Sequence, residues 1–118
     1  MKKSKKISLD TYNCFVTITI TDKLKPVVNG IYKKLGSKDP FTAEAEGVVV
    51  TFDIDNYYIV LDKSYLTNNT ICHELYHTVV KVTEERDIVD EESQAWLMGY
   101  LAEKVYSFIE KSGFKILK

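Results

Sequence analysis

The chain has 118 residues, of which 45% are hydrophobic and 28% are charged, and its formal net charge is −1 at pH 7. This length and composition predict one globular domain with a single core. The small net charge disfavours broad electrostatic binding to nucleic acid, which requires a large basic surface. Arg86 is the only arginine, and this disfavours DNA recognition further, since bidentate contacts to phosphate and guanine favour arginine.

The sequence also lacks the signals of export and of membrane insertion. No stretch approaches the roughly 20 apolar residues of a membrane span. Asp10, Thr11 and Asn13 interrupt any apolar core of a signal peptide. Cys14 and Cys72 are too few for a disulfide framework and are expected to be two buried thiols. These features predict a cytoplasmic protein without a membrane partner.

The first part of the chain predicts a tail, a strand and a helix. Residues 1–8 contain four lysines and are expected to form a flexible basic tail. Residues 12–20 are rich in aromatic and β-branched side chains, which predicts a strand. A helix should follow, with Thr21 or Asp22 as its N-cap and Gly36 just beyond its end.

The middle of the chain predicts a β-hairpin. Residues 48–54 and 57–61 are two β-rich runs, and Asp55-Asn56 between them predicts a tight antiparallel turn. A single bulged strand is the alternative. The predicted sheet is therefore small and antiparallel.

Two helices are expected in the remainder. The first covers residues 70–82, and residues 67–70 offer several N-caps for it. Asp87 or Asp90 caps a long final helix that runs to about Lys111. Strands followed by helices predict an α+β domain.

The most informative segment lies on the first of these two helices. Residues 73–77 read H-E-L-Y-H and contain the only two histidines of the chain. Helical residues four apart lie about 40° apart around the axis and about 6 Å along it, so His73 and His77 can reach one metal ion. Glu74 lies beside them, where it can act on a metal-bound water. The segment predicts a Zn²⁺ site, and the alternative is a helix with two surface histidines and no metal.

The identity of the third ligand separates families that share this motif. Zinc in a catalytic site usually has three protein ligands and one open position. Since both histidines are used, the third ligand has to be a carboxylate or a cysteine. Thr83 stands six residues beyond His77, where metzincins have a third histidine. Val48 follows Glu46-Gly47, where peptide deformylase has a cysteine.

Residues 90–99, D-E-E-S-Q-A-W-L-M-G, are similar to the glutamate helix of gluzincins and of ImmA/IrrE-type peptidases. In those families, small residues follow the ligand glutamate at the third and seventh positions. Glu92 with Ala95 and Gly99 fits this register better than Glu91 does. The resemblance implies Glu92 as the third metal ligand, with the small residues allowing the two helices to approach closely. The alternative is a solvated acidic first turn.

From residue 48 onward, the order of elements resembles a minimal zincin domain. The final helix is also similar to that of small H-E-x-x-H proteins of phages and bacterial mobile elements. The resemblance implies a zinc-dependent metallopeptidase, a hydrolase in which Glu74 is the general base. Tyr100 or Tyr65 would donate to the oxyanion. The strand over residues 57–61 would be the edge to which a substrate adds.

The sequence departs from the gluzincin pattern at one position. Trp96 stands where those enzymes commonly have Asp or Asn, so support for a ligand histidine would come from a backbone carbonyl or from Asp90. The alternative function is a zinc-binding but non-catalytic structural or interaction protein. The expected partner is a protein or peptide substrate, with a further protein partner or a larger assembly such as a virion as an additional possibility.

Overall fold

A computed structural model describes residues 1–117 of the chain as an α+β domain. The predicted fold class is confirmed. The strands and helices are, in chain order, β1 (Lys2–Leu9), β2 (Cys14–Thr21), α1 (Leu24–Lys34), β3 (Gly47–Thr51), β4 (Asn56–Asp62), α2 (Asn68–Glu84) and α3 (Glu91–Lys111).

The four strands form one mixed sheet in the order β1-β2-β4-β3. β1 pairs with β2 and β3 pairs with β4 in antiparallel fashion, whereas β2 and β4 are parallel. The prediction of an antiparallel sheet is therefore wrong for the central pair. A parallel pair needs a long crossover connection, and here α1 and β3 lie between β2 and β4 along the chain.

The prediction of a flexible tail over residues 1–8 is also wrong, because this segment forms most of β1. Ile7 and Leu9 are buried opposite Val16 and Cys14 of β2. The preceding lysines lie on an outer strand, where charged side chains remain in water and discourage pairing with other molecules. Because lysines occupy both faces of the strand before Ile7, the sequence shows no hydrophobic alternation there.

The predicted hairpin is confirmed, but its turn is longer than two residues. β3 ends at Thr51 and β4 begins at Asn56. The carboxylate of Asp53 accepts hydrogen bonds from the backbone N–H groups of Asp55 and Asn56, both at 2.8 Å. An Asp side chain that binds its own backbone two residues on is a common turn device. β4 is an internal strand, so the expectation that residues 57–61 form the edge is wrong, and β3 is the outer strand at this side.

Side-chain caps begin both long helices. The Thr67 hydroxyl accepts the N–H of Thr70 at 3.1 Å, at the start of α2. The Asp90 carboxylate accepts the N–H of Ser93 at 2.9 Å, at the start of α3. Both caps belong to the sets that the sequence offers. The expected cap of α1 is wrong, since Lys23 occupies that position without a side-chain cap.

The two faces of the sheet pack against different helices. α2 and α3 cover the inward side chains of β1, β2 and β4, which form the larger core. α1 covers the opposite face near β3 and β4, where Leu24, Val28, Val50 and Val60 are buried together. Within residues 1–117, no helix is long and apolar enough to cross a membrane.

α2 and α3 run antiparallel. Near the start of α2, the Cys72 sulfur lies 3.9 Å from the Tyr106 hydroxyl near the end of α3. That hydroxyl also donates to the Asn68 side-chain oxygen at 2.8 Å. Cys72 is exposed, so the expectation of two buried thiols holds only for Cys14. Only residues 85–90 connect the helices, so the start of α3 lies level with the end of α2.

Hydrogen bonds connect the chain at both ends of α2 to the rest of the domain. At its start, the N–H of Leu117 donates to the carbonyl of Leu66 at 2.8 Å. At its end, the Arg86 guanidinium donates to the carbonyls of Tyr12 at 2.9 Å and of Ile54 at 2.5 Å. It also donates to the Tyr57 hydroxyl at 2.9 Å. Burial raises the pKa of Tyr57 to about 12, so this hydroxyl stays protonated and can donate in turn.

Candidate metal centre

The two histidines meet on the exposed face of α2. The Nε2 atoms of His73 and His77 lie 3.0 Å apart, and their rings cross at 79° with centroids 4.6 Å apart. Both side chains are exposed, because the apolar side chains of α2 point to the opposite side. The histidines are therefore separate from the apolar stripe of α2.

Glu74 lies beside the pair but is buried, with 6% of its surface exposed. One carboxylate oxygen is 3.9 Å from Nε2 of His73. Burial raises the pKa of this carboxyl group, although the two histidines oppose the effect. Possible ligand atoms of His73, Glu74 and His77 all lie within 4.8 Å of one another. Among residues 1–117, this is the group of histidine, cysteine and acidic side chains that could hold a metal ion.

The donor set fits zinc. Tetrahedral coordination with Zn–N bonds of about 2.0–2.1 Å places two ligand nitrogens roughly 3.3 Å apart. The observed separation of 3.0 Å between the two Nε2 atoms is close to this value. Imidazole nitrogen and carboxylate oxygen are both ordinary zinc ligands. His73 and His77 would hold the ion, and Glu74 is near enough to contact either the ion or a water on it.

A cavity of about 350 Å³ opens in front of the histidines. From α2 it is lined by His73, Glu74, His77 and Lys81, and from β3 by Gly47, Val48, Val49 and Thr51. Consecutive residues of a strand point to opposite faces of the sheet. Val48 and Val49 are consecutive and point to opposite faces, yet both line the cavity. The cavity therefore lies at the outer edge of β3, and this edge borders the histidines.

Gly47 is the closest part of β3 to Glu74. A Cβ atom at this position would lie 2.9 Å from Cγ of Glu74 and 2.9 Å from Cδ2 of Leu61. These distances are too short for carbon atoms in contact. The absence of a side chain at Gly47 therefore allows Glu74 to be buried between α2 and the strand.

Replacing Gly47 by alanine should lower the free energy of unfolding by about 1–3 kcal/mol, because the added methyl group overfills this contact. Denaturant unfolding measures the change. The matched control is Gly30→Ala on α1, where a Cβ atom meets nothing within 4 Å. It should raise stability by up to about 1 kcal/mol. Equal stability of the two variants would contradict the proposed contact.

The structure adds residues that the sequence prediction missed. Lys81 lies one turn beyond His77 and lines the same cavity. Its spacing of four from His77 is a signal that could have identified it. Gly47 and Thr51 come from β3, and nothing local in the sequence links them to α2.

Glu92, the expected third ligand, is not brought into the histidine group. It lines a separate cavity with Thr11, Tyr12, Ser93 and Trp96. The geometry of the two helices explains this position. α3 begins level with the end of α2, and His77 lies seven residues before that end, which corresponds to about 10 Å along the helix axis.

The small residues that support the choice of Glu92 do not lie between the helices. Ala95 and Gly99 are both exposed, and a Cβ atom at Gly99 would meet nothing within 4 Å. The implied role of Ala95 and Gly99 in a close helix–helix approach is therefore wrong. α3 buries Leu97, Leu101 and Val105 instead.

The candidate oxyanion donors also lie away from the histidines. Tyr100 stacks on Trp96 and lines a cavity with residues of the β1–β2 connection, and its hydroxyl donates to the Ser8 carbonyl at 3.4 Å. Tyr65 is exposed and lines none of the cavities described here. Asp90 caps α3, so its carboxylate is already used.

The candidate metal centre thus consists of His73, Glu74 and His77, bordered by Lys81 and the outer edge of β3. Comparison of the chain with protein-family models, with curated proteins and with solved structures gives no match.

Proposed function

We propose that this protein is a zinc-dependent hydrolase that cleaves a peptide bond in a protein or peptide substrate. The observation that carries the proposal is the meeting of two imidazole nitrogens, 3.0 Å apart, with the buried Glu74 carboxylate in one open cavity. When bound, zinc would act as a Lewis acid and would lower the pKa of a water molecule.

Glu74 is the proposed general base. Its carboxylate accepts a proton from the attacking water and passes a proton to the leaving amine. Burial against Gly47 limits the positions that this side chain can take. A base fixed within reach of the reacting atoms is more effective than one on a mobile side chain.

The outer edge of β3 is the proposed binding site for the substrate backbone. Among residues 1–117, β3 has a strand partner only on the side of β4. A peptide that adds as a further strand would place its carbonyl groups along the cavity. Lys81 would then donate to the oxygen on which negative charge develops, in the role that the resemblance gives to a tyrosine.

A second candidate function is a zinc-binding structural or interaction protein. Among residues 1–117, Glu74 is the one carboxylate in the group that could hold a metal ion. This favours the second function, because a third protein ligand for zinc would have to be Glu74 itself. If Glu74 binds the metal directly, it is no longer free to act as a base. The two candidates therefore differ in whether zinc binding needs the Glu74 carboxylate.

Zinc content per chain tests the site on which both candidates depend. Purified untagged wild type should contain about one zinc per chain, and His77→Ala should lose it, because one imidazole alone binds weakly. Elemental mass spectrometry measures both. Glu92→Ala is the matched control and should keep its zinc. Loss of zinc from Glu92→Ala would contradict this ligand set and support the glutamate-helix assignment. Absence of zinc from wild type would overturn the proposal.

A further inference from the structure

Three aromatic side chains form a second surface feature, away from the histidines. Trp96 and Tyr100 stack one turn apart on α3, with ring centroids 5.4 Å apart and an interplanar angle of 12°. Tyr12, from the β1–β2 connection, lies against Trp96 with centroids 6.4 Å apart and an angle of 48°. Trp96 is 53% exposed. We name Tyr12, Trp96 and Tyr100 the aromatic surface.

Two adjoining cavities open on the aromatic surface, and both contain Thr11, Tyr12 and Trp96. The larger, of about 360 Å³, also contains Glu92 and Ser93. The smaller, of about 170 Å³, also contains Asp10 and Tyr100. Each cavity therefore combines aromatic rings with one carboxylate. Among residues 1–117, no lysine or arginine lines either cavity.

The electrostatic surroundings are acidic as well. Burial raises the pKa of Tyr12, and the negative charge of Asp90 raises it further. Asp90 is therefore a third carboxylate within electrostatic reach of the rings. An anionic ligand would be repelled here, and a purely apolar ligand would gain nothing from the acidic side chains.

The chain itself places one cation against this surface. The ammonium group of Lys104 lies 5.4 Å from the ring centroid of Tyr100. Cations are attracted to the faces of aromatic rings, and tryptophan is the strongest of the three ring types. The faces of Trp96 and Tyr12 beside Glu92 therefore offer the better cation site. A guanidinium group suits it most, because it stacks flat on an indole ring and pairs with a carboxylate through two hydrogen bonds.

We infer that the aromatic surface docks an arginine side chain of a protein partner, with the guanidinium in the larger cavity against Trp96 and Tyr12 and paired with Glu92. This inference does not depend on the proposed hydrolase activity. It also gives a role to Glu92 and to the exposed Trp96, which the metal centre leaves without one.

The only tryptophan of the chain lies in this surface, so its fluorescence reports directly on binding. The probe is the short peptide acetyl-Gly-Arg-Gly-amide, and the control peptide replaces arginine with citrulline, which has the same shape without the charge. With the full chain, the arginine peptide should change the fluorescence of Trp96 saturably. Its Kd should be at least about fivefold lower than that of the citrulline peptide and should rise with salt concentration.

Two variants locate the response. Glu92→Gln should raise the Kd of the arginine peptide about fivefold through loss of the charge-assisted pair. The matched control is Glu91→Gln, which removes an equal charge from a neighbouring position that lines neither cavity, and its Kd should be unchanged. Equal Kd values for the two peptides, or the absence of a saturable response, would overturn the inference. Equal weakening by both variants would also overturn it, since that result indicates general charge attraction.

Discussion

Replacing Glu74 by glutamine should reduce peptide hydrolysis by about 10²–10⁴-fold, the usual contribution of a positioned general base. Glutamine has nearly the same shape, but its neutral amide cannot accept the proton of the attacking water. Zinc should remain bound, because His73 and His77 are unchanged. The assay uses zinc-loaded protein and internally quenched peptides of mixed sequence, with cleavage confirmed by mass spectrometry.

The control for this substitution is Glu84→Gln, which removes the same charge from an exposed position at the end of α2. Its activity should match that of wild type. If Glu74→Gln loses its zinc together with its activity, Glu74 is a metal ligand and the non-catalytic function is favoured. If Glu74→Gln keeps full activity, Glu74 is not the base and the proposed mechanism is wrong.

Replacing Arg86 by methionine should lower the free energy of unfolding by about 2–4 kcal/mol, because each hydrogen bond from a charged donor contributes about 1.5–3 kcal/mol and the losses are only partly additive. The guanidinium binds the carbonyls of Tyr12 and Ile54 and the hydroxyl of Tyr57. Methionine fills a similar volume but leaves all three without this donor. Urea unfolding followed by circular dichroism measures the change.

Two further variants make the Arg86 experiment specific. Arg86→Lys should recover only part of the stability, since one ammonium group cannot reproduce the directions of the guanidinium donors. Lys33→Met on α1 removes an exposed positive charge and should change stability by less than about 0.5 kcal/mol. If Arg86→Met behaves like Lys33→Met, the hydrogen bonds at the end of α2 do not hold the domain together.

Local signals predicted the parts of the fold that depend on neighbouring residues. The caps at Thr67 and Asp90 follow from side chains within one turn of the start of each helix. The strand β1 was missed because its two buried apolar side chains, Ile7 and Leu9, both lie at its end. The earlier residues of the strand show no alternation of apolar and polar side chains. Backbone pairing with β2 also stabilises β1. The sequence of residues 2–9 alone does not indicate that pairing.

The third-ligand prediction shows a different limit of sequence patterns. Helical spacing correctly places Glu92, Ala95 and Gly99 on one face of α3, but it does not tell which neighbour that face meets. The short connection after α2 and the burial of Leu97 and Leu101 turn this face outward. The edge strand was misplaced for the same reason, since the order of strands in a sheet depends on contacts that are distant in sequence.

The hydrogen bonds at both ends of α2 have a consequence for metal binding. Helices fray from their ends, but the Leu66–Leu117 hydrogen bond and the Arg86 contacts restrain both ends of this one. His73 and His77 lie in its middle turns, so their backbone is already ordered before an ion arrives. Binding of a metal ion at the two histidines would then immobilise only side-chain rotations. The small entropic cost of such a preorganised site favours tight binding even with few protein ligands.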